Sequence, residues 1–275
     1  MTYTRTLGRA GVAAVAATLT ILSTGVAAHA SPAPSPAKSS AVACQPSGAL
    51  AVDGAELDVN SPAPGVGNCY TFTGNVGDKL TVGIYLPGAT GERFGFHSKL
   101  IVRDPAGQIV AQYVGGSPQV EGIYRLAIPD LTAAGTYQVE VAPVFPDGLV
   151  SGRVLLNSVV DLGRVDIDGP GKQVTLKRIG QEQRITFAGR SDQWVQLDLA
   201  NFDFQTGTPA REAGVWVEIW DKDKTRLLYR DVLRANGRRE MGPLRVTADF
   251  VVQAWTVWGS QGGVTLSIPS MPPQK

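Results

Sequence analysis

The chain has 275 residues, with 25 Lys and Arg against 24 Asp and Glu, 43% hydrophobic residues and 18% charged ones. That length suits one large domain or two of ordinary size, and the apolar share is ample for a core. The near-neutral balance excludes a nucleic-acid binder, which would carry a basic excess or stripe, and the composition excludes collagen, coiled coil and wholesale disorder.

Residues 1–30 have the form of a secretory signal. Arg5 and Arg9 supply a positive start, an uncharged run extends from Gly11 to Ala28, and Ala28-His29-Ala30 offers a cleavage site. The run approaches the length of a membrane span. It is only weakly apolar, however, and no basic stop-transfer cluster follows, so cleavage is expected and the mature chain is expected outside the membrane. No Arg-Arg pair is present, which favours the general export route over the twin-arginine one. Residues 31–43 form a Pro/Ser/Ala spacer expected to be extended and disordered. Cys44 and Cys69 are the two cysteines, and in the oxidising compartment that the signal implies they are expected to pair. Ala41-Val42-Ala43-Cys44 faintly suggests a lipid-attachment box, but it lies well past the apolar run, and Cys69 offers a partner.

From residue 44 onward, short alternating segments are separated by Gly, Pro and Asp turns, and no stretch carries a helical apolar period. The expectation is all-β, two tandem eight-stranded jelly-roll-like β-sandwiches. The chain also repeats itself. Asp53-Gly54 matches Asp168-Gly169, Tyr70–Gly74 matches Ile185–Gly189, and Leu80–Ile84 matches Val195–Leu199, all at an offset of 115. Leu100–Asp104 matches Val217–Asp221 at 117, Tyr137–Val139 matches Phe250–Val252 at 113, and Gly152–Leu156 matches Gly262–Leu266 at 110. Offsets that drift only across the segments between strands indicate two homologous domains, residues 44–158 and 159–275. Alternation assigns Tyr70/Phe72, Leu80/Val82/Ile84, Leu100/Val102 and Tyr137/Val139/Val141 to one core. It assigns Ile185/Phe187, Val195/Leu197/Leu199, Val217/Ile219 and Phe250/Val252/Ala254 to the other.

At these residues the chain resembles the bacterial pre-peptidase C-terminal (PPC) domain. The resemblance lies in Tyr70-Thr-Phe-Thr-Gly74, the Gly77-Asp78 pair before an alternating strand, Asp104-Pro-Ala-Gly107, the Leu131 to Tyr137 segment and the closing Gly152-Arg-Val154 strand. The second copy departs from it. Ser191-Asp192 stands where Gly is expected, Lys224 replaces the turn glycine Gly107, and Ala248-Asp249-Phe250 replaces Gly-Thr-Tyr. The resemblance implies a jelly roll appended to exported proteases and other enzymes, often as a cleavable or substrate-binding accessory. It implies no activity.

Motifs that would carry catalysis are missing. His97 is the single histidine beyond the signal, there is no HExxH or G-x-S-x-G, and Gly259-Ser260-Gln261-Gly262 lacks the first glycine. An enzyme with an unrecognised carboxylate site is therefore placed last, and no catalytic residue or cofactor is expected. Asp166, Asp168, Asp221 and Asp223 are weak calcium candidates, since Ca²⁺ wants oxygen ligands, but turn capping is the better reading of both pairs. Residues 31–158 carry a net charge of −3 and residues 159–275 a net of +2, with Arg234, Arg238 and Arg239 beside one turn. A solvated loop is the default there, and contact with an anionic wall polymer is the weaker reading.

All five tryptophans, Trp194, Trp216, Trp220, Trp255 and Trp258, lie in the second repeat. Core filling is the ordinary role of large aromatics. At the repeat offsets, however, Trp216 and Trp220 replace Lys99 and Arg103, Trp194 replaces Lys79, and Trp255 replaces Ala142. Val217/Ile219 already claim the core face, so the rings should point outward. With Glu218 and Gln253 between them, Trp216, Trp220 and Trp255 form a candidate binding face. The rings would stack on sugars, and the carboxylate and amide would bond hydroxyls. The function expected is that of a secreted, non-catalytic binder of an extracellular polysaccharide, cell-wall polymer or protein. The alternative is a structural or protein-interaction accessory of a secreted enzyme, with the first domain or a partner packed on the tryptophan face.

Overall fold

The computed structural model describes residues 44–90, 98–115, 122–205, 213–234, 240–256 and 260–273. The signal, the spacer, His97, Arg238, Arg239 and Trp258 lie outside the described residues. Residues 41–275 form one compact unit. The fold is all-β, and the described residues contain no helix.

The first half supplies β1 (Cys44–Ala49), β2 (Leu57–Asn60), β3 (Gly67–Gly74), β4 (Leu80–Thr90), β5 (Ser98–Arg103), β6 (Ile109–Gly115), β7 (Gly122–Ala127) and β8 (Gly135–Pro143). The long β9 (Leu149–Asp166) follows. The second half supplies β10 (Lys172–Leu176), β11 (Glu182–Ala188), β12 (Gln193–Ala200), β13 (Gly214–Asp221), β14 (Leu227–Arg234), β15 (Glu240–Val246), β16 (Phe250–Thr256), β17 (Gly262–Ser267) and β18 (Ser270–Met271). Three sheets result. One has the order β1-β3-β8-β5-β6, and a second runs β10-β17-β12-β15 with β18 on β12. The third, of eight strands, runs β14-β13-β16-β11-β9-β4-β7 with β2 on β9.

The two halves share several local features. β1 pairs parallel with β3, and the second half of β9 pairs parallel with β11. β5 pairs with β8, and β13 with β16. Phe72 stacks on Tyr137 with centroids 5.1 Å apart, and their repeat mates Phe187 and Phe250 stack at 5.6 Å. Every residue that alternation assigns to the two cores is buried. One core draws on residues between Leu50 and Leu156, the other on residues between Val174 and Ile268. Even the backbone twists repeat. Asp53 and Asp168 both sit at positive φ (56° and 62°), as do Gly107 and Lys224 (80° and 56°).

Residues 158 and 159 are consecutive residues of β9, which passes through both halves without a break. Its first part, Leu149–Ser158, is laddered to β4, while the stretch from Val159 to Asp166 is laddered to β11. The last strand of the first sandwich is thus the first strand of the second.

The first strand runs from Cys44 to Ala49, and Val52 makes only an isolated bridge to Leu156. Leu57–Asn60 is an additional short strand. Both rest on long-range pairing; Pro46 and Gly48 give β1 no local signature.

Cys44 and Cys69 form the expected disulfide, joining β1 to β3 across 25 residues. Its location has a mechanical logic. β1 is the outer strand of its sheet, whereas its counterpart in the second sandwich is anchored by being the continuation of β9. The loop-closure estimate for such a cross-link is about 3 kcal/mol. A Cys44→Ser/Cys69→Ser variant is therefore expected to lose about 3 kcal/mol of unfolding free energy in urea titration, with the loss localised to β1 in hydrogen exchange.

Candidate functional site

The candidate face is built from three cross-strand rows on the outer side of the eight-stranded sheet. Val217 and Ile219 are fully buried in the second core, so Trp216, Glu218 and Trp220 project to the opposite side. In the first row Glu182, Trp255 and Trp216 lie side by side on β11, β16 and β13. In the second, Asp161, Arg184, Gln253, Glu218 and Arg230 stand opposite one another across β9, β11, β16, β13 and β14. Trp220, paired with Val251, belongs to the third. Register therefore brings together all five residues singled out from the sequence: Trp216, Glu218, Trp220, Gln253 and Trp255.

The indoles of Trp216 and Trp255 stack with centroids 6.2 Å apart and planes 15° from parallel. The polar residues between the rings are not free to receive a ligand. Glu218, 4% exposed, accepts a hydrogen bond from Trp220 Nε1 at 2.9 Å and from Arg230 Nε at 2.6 Å. Gln253 Nε2 donates to Glu182 Oε1 at 2.6 Å. The carboxylate and amide expected to serve ligand hydroxyls take the nearest partners that the cross-strand neighbours provide, as buried polar atoms do.

Sequence reading missed Arg125 and Glu182. Glu182 is wholly buried at the start of β11, where it pairs with Arg184 (2.6 Å) and with Arg125. Arg125 comes from β7, in the first sandwich, and its guanidinium lies 4.2 Å from the ring centre of Trp255. The β7 end of the eight-stranded sheet therefore meets the tryptophan face, along a crease beside β9. Burial pulls the Arg125 guanidinium down to about 10, an effect that the neighbouring cations Arg184 and Arg230 reinforce and Glu218 opposes.

The floor of this crease is a polar latch. The β10–β11 loop sets Gly180 against Gly83 of β4, and a methyl group built on Gly83 would land on the carbonyl oxygen of Ile179. Thr81 Oγ1 donates to Gly180 O at 2.7 Å, and Asn157 Nδ2 donates to Ile179 O at 3.0 Å. Arg178 donates to Asn157 Oδ1 and to the Asp53 carbonyl, both at 2.8 Å.

The same outer face of the first sandwich carries charge instead of indole. Lys99, the counterpart of Trp216, pairs with Glu140 at 2.6 Å. Trp194 lies apart from the other rings, opposite Arg245 and Met271 in another sheet.

Of the four calcium candidates, Asp168 and Asp221 serve turns. Asp168 Oδ1 accepts the Ser270 N–H at 2.7 Å, and hydrogen bonds from Ser270 hold its carboxyl below the usual range. Asp221 accepts the Thr225 and Arg226 N–H groups (2.6 and 3.0 Å) and the Thr225 hydroxyl (2.6 Å), which lowers its pKa in the same way. Among the described residues, no group of three or more His, Cys, Asp or Glu side chains is placed to hold a metal ion.

No protein-family model matches the chain, and no curated protein is similar to it. Among solved structures, the CUB1-EGF-CUB2 domain of human MASP-1/3 is 11% identical over 78% of this chain and 99% of its own, with a TM-score of 0.24. The CUB1-EGF-CUB2 domains of rat MASP-1 are 7% identical over 82% and 99%, with a TM-score of 0.26. A recombinant N-glycanase F is 9% identical over 78% and 93%, with a TM-score of 0.22. Likeness at this level carries no inference about family or activity.

Proposed function

We propose that the chain is an exported, non-catalytic accessory protein in which two PPC-like sandwiches are locked into one body and the tryptophan face is the seam between them. The observation that carries this reading is Arg125 of β7, seated over Trp255 and paired with the buried Glu182 of β11. Aromatic residues and Arg are the groups that packed protein interfaces favour. The repeat supports it, since the equivalent face of the first sandwich carries Lys99 and Arg103. Export is supported by the signal-like residues 1–30 and the Cys44–Cys69 disulfide.

A second reading, recognition of an extracellular polymer, is favoured by the far end of the face. There Trp216 and Trp220, half-buried like Trp255, have no partner from the first sandwich over their rings among the described residues, and the Arg230 side chain is 52% exposed. Two variants separate the readings. Trp255→Ala should cost about 3 kcal/mol in denaturant unfolding, because it removes a ring from a packed seam. Trp216→Ala/Trp220→Ala should keep cooperative unfolding, since the core face is untouched. If Trp255→Ala leaves stability within about 0.5 kcal/mol of the parent, the seam reading fails. If the double variant also stops co-sedimenting with insoluble polysaccharide or cell wall, the whole face is a ligand site.

A further inference from the structure

Among the described residues β6 is laddered to β5 alone, which leaves the N–H and C=O groups of its other edge without a strand to bond. Such edges are ordinarily blunted by charge or proline, and the five other strands that end a sheet follow that rule. β1 carries Pro46 and is pinned by its disulfide, β7 carries Arg125, and β10 carries Lys172. β15 carries Pro243, and β14, the counterpart of β6 in the second sandwich, carries Arg230 and Asp231. β6 itself, Ile109-Val-Ala-Gln-Tyr-Val-Gly115, has neither charge nor proline.

The outward side chains Ile109 and Val114 are 47% and 60% exposed, so little of the chain lies over them. A bulge at Val110, opposite Val102 and Arg103, is the one irregularity of the strand, and Ala111–Gly115 keeps even register with Ser98–Val102. That stretch is an open, neutral edge.

We propose that β6 docks a second copy of this chain, β6 against β6, antiparallel about a twofold axis at Tyr113. A second copy offers no better edge, since its other sheet ends carry charge or proline, and two neutral strands meet without like-charge repulsion. In this register Gln112 of each copy faces Val114 of the other, and its side-chain stem covers the exposed valine. On the core side, Ala111 faces Gly115, and these small residues leave room beside the two Tyr113 side chains. The twofold consumes both open edges, so association stops at a dimer and no fibre grows. Five paired residues bury less than the roughly 1,200 Å² at which standard interfaces begin, so dimer and monomer exchange. The strand belongs to a different sheet from the tryptophan face, and the contact is independent of the function proposed above.

The test is sedimentation velocity of the disulfide-intact mature protein from about 2 to about 200 μM. Monomer should give way to dimer as concentration rises, with no larger species. Val114→Lys should weaken the dimer about tenfold, because it charges the edge and sets two like charges diagonally across the axis. Adding Gln112→Glu to that variant should restore the dimer, since each introduced ammonium then faces an introduced carboxylate. Val76→Lys, which places the same charge at a 66% exposed position outside β6, should dimerise like the parent. A Val114→Lys melting temperature equal to the parent's at the lowest concentration ties its loss of dimer to the edge and not to the fold. A monomer at every concentration, a dimer that Val114→Lys leaves intact, a double variant that stays monomeric, or species that grow past two copies overturns the proposal.

Discussion

Gly83→Ala is expected to lose about 3 kcal/mol of unfolding free energy, a large effect for one methyl group. Gly83 lies mid-strand in β4, between Val82 and Ile84, whose side chains fill the first core. Its missing side chain would point the other way, into the crease, where the Ile179 carbonyl and Gly180 occupy the space. Both obstacles are backbone, so neither can step aside by changing rotamer. The β10–β11 loop would have to back away from β4, releasing the Thr81–Gly180 and Asn157–Ile179 hydrogen bonds. Buried groups stripped of partners add to the loss. Urea titration followed by tryptophan fluorescence reads this directly, because Trp216 and Trp255 adjoin the crease. A midpoint shift equivalent to less than about 1 kcal/mol would show that the loop does not need this contact.

The second large effect is expected at Arg125. Removing one member of a buried ion pair leaves an uncompensated charge and typically costs about 3–5 kcal/mol. Glu182 is 0% exposed and keeps Arg184 and Gln253 as partners, so Arg125→Leu belongs at the lower end, about 3 kcal/mol. Adding Glu182→Gln should return about 1 kcal/mol or more, because the stranded charge disappears with it. Strictly additive losses in the double variant would mean that the two residues do not act on each other. Both variants should also redden and weaken the tryptophan emission, since Arg125 no longer covers the Trp255 ring.

Much of the fold was legible because alternation is a local signal. Tyr70/Phe72 and Ile185/Phe187 announce their core faces within a few residues, and a repeat offset that drifts only between strands links the two sets. The outward set of Trp216 and Trp220 followed from Val217 and Ile219 between them. What stayed hidden depends on where distant segments meet. β1 pairs parallel with β3 although Cys44-Gln-Pro-Ser-Gly-Ala49 has no strand pattern of its own. Arg125 reads as one more outward cation until the β7 end of the sheet meets the tryptophan face and places it over Trp255. Two clues were present. Gly83 interrupts an otherwise well-formed strand, which signals close approach of another backbone. Glu182 and Arg184 sit on the same face of one strand, and such a pair readily becomes buried when something covers it.

The continuity of β9 also bears on how this architecture can be inherited. Tandem domains normally travel as separable beads, cut and rejoined at linkers. Here a break between Ser158 and Val159 would fall inside a strand, stripping β11 of its parallel neighbour while the first sandwich ended in a truncated stub. Each fragment would present an unprotected edge to its surroundings, an invitation to aggregation. A chain built this way can vary its loops and outer faces freely, but it must pass on the two sandwiches as a single piece.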